Sequence, residues 1–174
     1  MDLIIYPIGK FIEQPFSESE LRDRLLDIRF AAQSLELAVN NLDEFQLNTA
    51  YREGGWTVKQ VVHHLADSHM NAFIRCKLAL TEDNPTIKPY DQNTWVNTPD
   101  AANVPINVSI TLLHALHIRW HELFNNLNEQ DFQRTVMHPE YKRQMTLWFI
   151  LGLYAWHGKH HTAQIQSLRD RMNW

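Results

Sequence analysis

The feature that most constrains the fold is an apolar repeat with steps of three and four residues across residues 21–42. Its members are Leu21, Leu25, Ile28, Ala32, Leu35, Val39 and Leu42. Such spacing places the side chains on one stripe of an α-helix, and that stripe must pack against other elements. Ser17 and Glu20 precede the repeat in the spacing of a capping box, which predicts the start of the helix.

Three further helices are predicted, and the second follows the break at Gly54-Gly55. Thr57 and Gln60 predict its capping box, and it ends near Leu80. Its apolar face comprises Val58, Val61, Val62, Leu65, Ala72, Phe73 and Cys76. The third helix carries the stripe Leu112, Leu116, Trp120, Leu123 and Leu127, and the fourth carries Leu147, Ile150, Tyr154, Ile165, Leu168 and Met172.

The bounds of these helices predict a bundle with one long connection. The third helix runs roughly from Val108 to Leu127, and the fourth from near Gln144 to about Met172. A loop of about 25 residues with four prolines separates the second and third helices, well above the usual length. Because it can cross the bundle, these two helices are expected to run parallel. We predict an all-α four-helix bundle that forms one domain over residues 1–174.

Charge and cysteine content narrow the class of protein. The 174 residues carry a formal net charge of -4, so no basic surface for nucleic acid or anionic lipid is expected. Apolar stretches fall short of the roughly 18 residues of a membrane span, and the amino terminus does not resemble a secretory signal. Cys76 is the only cysteine, which fits a reducing compartment. We therefore predict a cytoplasmic protein without nucleic-acid or membrane partners.

Ten histidines are many for this length, and two of them fall inside an apolar stripe. His157 and His161 are four residues apart on the fourth helix, so their rings project from the same face one turn apart. Imidazoles buried among apolar side chains need partners for their nitrogens, and a divalent metal ion supplies one. His160 points to the side and is expected at the rim. The spacing alone also suits two hydrogen-bonded core histidines.

The second helix offers a third candidate ligand. His64 lies at the edge of its apolar face, beside a polar strip formed by Ser68, Asn71 and Arg75. His63 points away and is expected in solvent, whereas His69 is expected to be a hydrogen-bonded core histidine. The residues alone therefore leave two interpretations open, a metal site formed by His64, His157 and His161 or a set of hydrogen-bonded core histidines. A rival cluster of His114, His117 and His121 lies on a flank of the third helix that is predicted to be solvated.

Long strings of residues resemble the YfiT group of the DinB-like superfamily. They are residues 51–69 and 151–161, with shorter matches at 6–9 and 89–91, so the resemblance extends over nearly the whole chain. It implies a dimeric four-helix bundle that binds one nickel or zinc ion through three histidines. The first is the histidine before Leu-Ala-Asp, which is His64, and the others are His157 and His161.

The resemblance also implies an activity. The group includes metal-dependent hydrolases and thiol S-transferases that conjugate bacillithiol, a low-molecular-weight thiol, to electrophiles in detoxification. Thiol transfer is the preferred expectation, with hydrolysis of a small substrate as the alternative. A non-catalytic, metal-stabilised stress-response domain is the third possibility.

The residues alone indicate a candidate metal site but do not identify the reaction that it would catalyse. Three protein ligands leave positions open on the ion, as in catalytic sites. Gly158 stands where the HExxH pattern of metalloproteases has its glutamate, and Asp67 points away from the apolar face. No general base is evident, which favours thiol transfer, and no catalytic residue is assigned. Asn71, Arg75 and Tyr154 are the candidates to bind a polar or anionic cosubstrate.

Aromatic side chains on the fourth helix predict an interface. Trp148, Phe149 and Trp156 point away from the stripe that carries His157 and His161. Exposed aromatics on a helix need a covering surface. A twofold homodimer interface would cover them, and so would an amino-terminal arm around Tyr6 in the same chain. The homodimer is the favoured prediction.

Overall fold

The computed structural model describes residues 3–174 and shows the predicted four-helix bundle. The elements are α1 (Glu18–Val39), α2 (Glu44–Leu47), α3 (Val58–Thr81), α4 (Gln92–Trp95), α5 (Pro99–Asn103), α6 (Ile106–Asn125), α7 (Glu129–Phe132), β1 (Thr135–His138), β2 (Arg143–Thr146) and α8 (Leu147–Met172). The long helices α1, α3, α6 and α8 form the bundle. Within residues 3–174, no helix is both long and apolar enough to cross a membrane.

The first two long helices, α1 and α3, follow each other in sequence but lie at opposite corners of the bundle, because each packs against both α6 and α8. Side-chain pairs show the directions of α3 and α6. His63 contacts Ser109 near the start of both helices, and His69 contacts His117 further along both. The two helices are therefore parallel, as the long connection predicted, and that connection contains α4 and α5.

Two of the long helices begin as their sequences predict. The hydroxyl of Thr57 accepts from the backbone N–H of Gln60, and the Gln60 side chain accepts from the backbone of Thr57. The hydroxyl of Ser17 likewise accepts from the N–H of Glu20. The carboxylate of Glu20, however, contacts buried Arg24 instead of returning to the N-cap, so the predicted capping box of α1 is half formed.

The start of the fourth helix differs from the prediction. Arg143–Thr146 forms strand β2, antiparallel to β1, and α8 begins at Leu147 with Thr146 as its N-cap. The hairpin is fastened to the long connection, where Ile87 donates to the carbonyl of Met137 at 3.0 Å. The four residues before α8 therefore pair with β1, and β1 in turn is hydrogen-bonded to the long connection.

A layer of histidines divides the core into two apolar clusters. One cluster is rich in aromatic rings and includes Trp120, Phe124 and Phe132, whereas the other is mainly aliphatic. Along α8, the buried histidines His160 and His161 lie between the residues of the two clusters, and His69 does so along α3. Polar groups at this depth must be satisfied by each other or by a ligand.

The amino-terminal arm, residues 5–16, covers the aromatic face of α8 that was assigned to a dimer interface. The indole of Trp148 donates to the carbonyl of Gln14 at 2.8 Å, and the indole of Trp156 donates to Gly9 at 3.2 Å. Phe149 packs edge-on against Phe11. These aromatics therefore give no support to a dimer, because the same chain covers them.

Candidate metal centre

The structure brings together the three histidines that the sequence singled out. α3 contributes His64, and α8 contributes His157 and His161 one turn apart. One ring nitrogen from each lies within 4.8 Å of the other two. His64 and His161 are 2% and 8% exposed. The trio therefore forms a compact set of nitrogen donors inside the bundle.

The spacing within the trio fits a metal ion. Nε2 of His64 and Nε2 of His157 are 3.3 Å apart, so they share either one proton or one cation. Four ligands placed tetrahedrally at 2.0–2.1 Å from zinc are about 3.3–3.4 Å from one another. Zinc and nickel both accept imidazole ligands, so the donor set fits either ion.

A side-chain amide supports His161. Nδ1 of His161 lies 2.8 Å from Oε1 of Gln164. The amide nitrogen of Gln164 donates to the carbonyl of Ile5 at 2.9 Å, and this fixes the amide oxygen towards the ring. Because that oxygen can only accept, Nδ1 of His161 carries the hydrogen and Nε2 is left with its lone pair.

Burial keeps the three rings neutral. Desolvation lowers the pKa of His64 to about 4, and it lowers the pKa of His157 and His161 well below the usual range. Neighbouring histidines lower the last two further, because like charges would repel. A metal ligand has to be the neutral imidazole, so the site is in its binding form at neutral pH.

A cavity of about 580 Å³ opens beside the trio, and His157 forms part of its wall. Its polar lining includes Ser68, Arg75, Tyr90, His138 and Tyr154. Two of the three predicted substrate-binding residues, Arg75 and Tyr154, therefore face it. The third, Asn71, is not among the residues that line it, because its amide turns back to the carbonyl of Asp67.

Two other histidines are placed differently from the sequence-based expectation. His63 is buried and contacts the hydroxyl of Ser109 and the carbonyl of Val104, which lie outside its own helix. His160 is also buried, stacked on Trp156 where the amino-terminal arm covers this side of α8. Neither belongs to the trio, so their burial reflects packing by distant segments.

The largest correction concerns α6. His117 is 1% exposed, whereas Leu112 of the predicted stripe is 42% exposed. The inward face includes Leu116 and Trp120 of the predicted stripe and adds Leu113, His117 and Phe124. His114 pairs with Glu36 at the surface. The rival cluster of His114, His117 and His121 is therefore divided between the core and the surface.

His117 and His69 form a group that sequence reasoning only partly identified. His69 is 1% exposed and hydrogen-bonded, as predicted for a core histidine. Its two ring nitrogens contact His117 at 2.8 Å and the candidate ligand His157 at 3.1 Å. The inward stripe of α6 was the signal that would have found His117.

No carboxylate belongs to the donor cluster within residues 3–174. Asp67 lies away from the trio, and desolvation together with Asp100 raises its pKa to about 6. Asp91 and Glu140 line the cavity and are exposed. The candidate donor set in residues 3–174 is therefore made of neutral imidazoles alone.

The chain belongs to the DinB superfamily, whose family model matches residues 27–165. It is 50% identical to a protein of Geobacillus kaustophilus strain HTA426 named "Putative metal-dependent hydrolase", with 100% of this chain and 98% of that protein covered. A Bacillus cereus ATCC 10987 protein of the same name is 49% identical, and each chain is fully covered.

A solved structure agrees with the fold described above. YfiT from Bacillus subtilis superposes with a TM-score of 0.96 at 43% identity, and 99% of each chain is covered. It is described as "a probable metal-dependent hydrolase with an unusual four-helix bundle topology".

Proposed function

We propose that the protein is a metal-dependent enzyme that transfers a low-molecular-weight thiol, of the bacillithiol kind, to electrophilic small molecules. One zinc or nickel ion would be held by His64, His157 and His161. The observation that carries the proposal is the cluster of neutral imidazoles beside a cavity of about 580 Å³, whose wall includes His157 and whose size is typical of small-molecule sites. A bound ion would lower the pKa of a thiol or a water that coordinates it.

The cavity wall supports a polar, anionic cosubstrate. Arg75 brings a permanent positive charge, and its guanidinium is oriented by a hydrogen bond to the carbonyl of Lys88 at 3.2 Å. Burial raises the pKa of Tyr90 to about 12 and also raises the pKa of Tyr154. Both phenols therefore keep their protons and can donate to a bound carboxylate or hydroxyl. We assign these three residues to cosubstrate binding.

The lack of a carboxylate in the donor cluster of residues 3–174 favours thiol transfer over hydrolysis. Attack by a thiolate needs no further base once the thiol has lost its proton, whereas hydrolysis requires protons to be moved at the water and at the leaving group. Hydrolysis of a small substrate is the second candidate, because the relatives are named metal-dependent hydrolases.

Product analysis separates these reactions. Purified protein loaded with zinc or nickel is incubated with a chromogenic electrophile, with and without bacillithiol, cysteine or glutathione. We expect conjugation that requires thiol and is lost on chelation. Release of a chromogenic ester without thiol would favour the hydrolase instead. If neither reaction occurs with either metal, the protein is a non-catalytic metal-stabilised domain, and the proposed function is wrong.

We also propose that the protein is a cytoplasmic homodimer, with its interface on a surface other than the aromatic face of α8. Leu26, Phe30 and Leu37 on α1 are 53%, 50% and 65% exposed, and Ile8 of the arm lies beside the first two. An apolar surface of this kind is typical of contacts between subunits. Sedimentation at micromolar concentration should give twice the 20.6 kDa of one chain. A species of 20.6 kDa would exclude the dimer.

A further inference from the structure

A chain of hydrogen bonds connects the candidate ligand His157 to the backbone of α1. Nδ1 of His157 lies 3.1 Å from Nε2 of His69, and Nδ1 of His69 lies 2.8 Å from Nε2 of His117. Nδ1 of His117 contacts the carbonyl oxygen of Ile28. Three imidazoles and one peptide group therefore form a single line through the core.

The carbonyl at the end of the line determines the direction of every hydrogen bond. Because a carbonyl oxygen can only accept, Nδ1 of His117 carries the hydrogen. A neutral ring has one N–H, so Nε2 of His117 accepts and Nδ1 of His69 must donate to it. By the same step, Nε2 of His69 accepts from Nδ1–H of His157. The lone pair of His157 is then left on Nε2, which faces His64.

The rings in this line are neutral because nothing near them compensates a charge. His69 and His117 are each 1% exposed, and their hydrogen-bond partners are other imidazoles and one carbonyl. Burial of an imidazolium without a carboxylate partner is strongly unfavourable. The direction imposed by Ile28 is therefore transmitted through the whole line.

We propose that the carbonyl of Ile28, acting through His117 and His69, selects the tautomer of His157 that presents Nε2 to the metal ion. His69 and His117 are positioning residues, since they would act on the ion only through His157. Hydrogen-bond partners of metal-bound histidines typically change metal affinity by about 10–100-fold. The inference rests on the metal site of the proposed function and is independent of the reaction catalysed.

The tautomer can be measured without any substitution. Long-range 1H–15N correlation spectra of the metal-free protein at neutral pH distinguish a protonated from an unprotonated ring nitrogen. We expect His157, His69 and His117 all to carry the hydrogen on Nδ1. A wild-type spectrum in which His157 is protonated on Nε2 would overturn the proposal, whatever the reaction proves to be.

A matched pair of substitutions at position 69 tests the effect on the metal. His69→Gln places an amide oxygen near the former Nε2 and can still accept from His157, whereas His69→Met cannot. Zinc affinity, measured by competition with a chromogenic chelator, should fall about 10–100-fold in His69→Met and recover largely in His69→Gln. Equal affinity in wild type and His69→Met would contradict the proposal, as would equal losses in both variants.

The second link provides a test that leaves the contact between His69 and His157 in place. His117→Phe removes the acceptor for Nδ1–H of His69 and so frees His69 to adopt either tautomer. We expect a smaller loss of zinc affinity than in His69→Met, together with a mixed tautomer of His157 in the metal-free spectrum. His114→Phe, on the surface of the same helix, is the control. If His157 kept the single wild-type tautomer in His117→Phe, the carbonyl of Ile28 would not be what selects that tautomer.

Discussion

The two candidate ligands of α8, His157 and His161, are hydrogen-bonded to two different parts of the molecule. Behind His157 lies the bundle core, where α3, α6 and α1 contribute His69, His117 and the carbonyl of Ile28. Behind His161 lies a single amide, Gln164, oriented by the carbonyl of Ile5 in the amino-terminal arm. The first set of hydrogen bonds, through His69 and His117, is the core route, and the second, through Gln164, is the arm route. Both routes end on a backbone carbonyl and leave Nε2 of the candidate ligand with its lone pair.

This difference indicates where the metal site depends on the fold as a whole. The core route cannot be lost without separating packed helices, whereas the arm is a segment without helix or strand that lies along α8. Segments of this kind open locally at lower free energy than helices in a core. We infer that the arm can influence metal affinity only through the side chain of Gln164, which contacts both Ile5 and His161.

The largest effect is expected from removing the ligands themselves. His64→Ala, His157→Ala and His161→Ala should each remove most of the divalent metal from purified protein, measured by elemental analysis. Every remaining pair of imidazoles lacks the third donor, and three protein ligands are typical of catalytic zinc sites. His114→Ala should retain near-stoichiometric metal. Metal that persists in all three ligand variants would show that it is bound elsewhere.

Substitution of Gln164 tests the arm route and is expected to weaken zinc binding about tenfold. Gln164→Met removes both the acceptor for His161 and the donor to Ile5. Gln164→Glu keeps the acceptor but places a carboxylate near the carbonyl of Ile5, so it should retain metal and loosen the arm. Zinc competition and the protection of the arm from limited proteolysis report the two effects separately. If zinc affinity and protection of the arm changed together in both variants, Gln164 would not orient His161 and hold the arm as separate roles.

The stability of the metal-free protein should depend on pH because of the buried rings. The pKa of His64 and that of His117 are lowered from 6.5 to about 4. The unfolded chain therefore takes up protons before the folded one, and the free energy of unfolding falls as the pH decreases from about 6.5 towards 4. We expect a decrease on the order of 2 kcal/mol per ring, measured by urea unfolding of chelator-treated protein.

His117→Phe provides the control for this pH dependence, because phenylalanine does not titrate. Its curve should be shallower than that of wild type between pH 6.5 and 4, whatever its absolute stability. Asp67, whose pKa is raised to about 6, contributes alike to both proteins and cancels in the comparison. Identical slopes would mean that His117 does not contribute.

The smallest effect is expected at His160, which contacts the amide nitrogen of Gln164 and not the amide oxygen that faces His161. Nε2 of His160 accepts from the amide nitrogen of Gln164 at 3.0 Å, and that nitrogen also donates to Ile5. Removing one of two acceptors should leave the amide oriented, so His160→Ala should retain its metal and lose less zinc affinity than Gln164→Met. A loss equal to that of the ligand variants would place His160 in the site.

The sequence by itself determined the features that depend on one helix at a time. The stripe of α1, the apolar face and capping box of α3, and the pairing of His157 with His161 all follow from helical periodicity and end signals. His64 was also selected from its position at the edge of a stripe. The three donors could be named together because each lies on the inward side of a strongly periodic helix, although their binding of metal remains a prediction.

The tertiary structure decided which residues are buried on helix faces other than the main apolar stripe. α6 carries two overlapping apolar stripes, and only packing against α1 and α3 selects the one that contains His117 rather than Leu112. Residues 143–146 form a strand by pairing with β1, which is itself hydrogen-bonded to the distant connection at Met137. His160 is buried because the arm covers α8. Periodicity records the face that one helix buries, whereas burial of its other faces is set by segments far away in sequence.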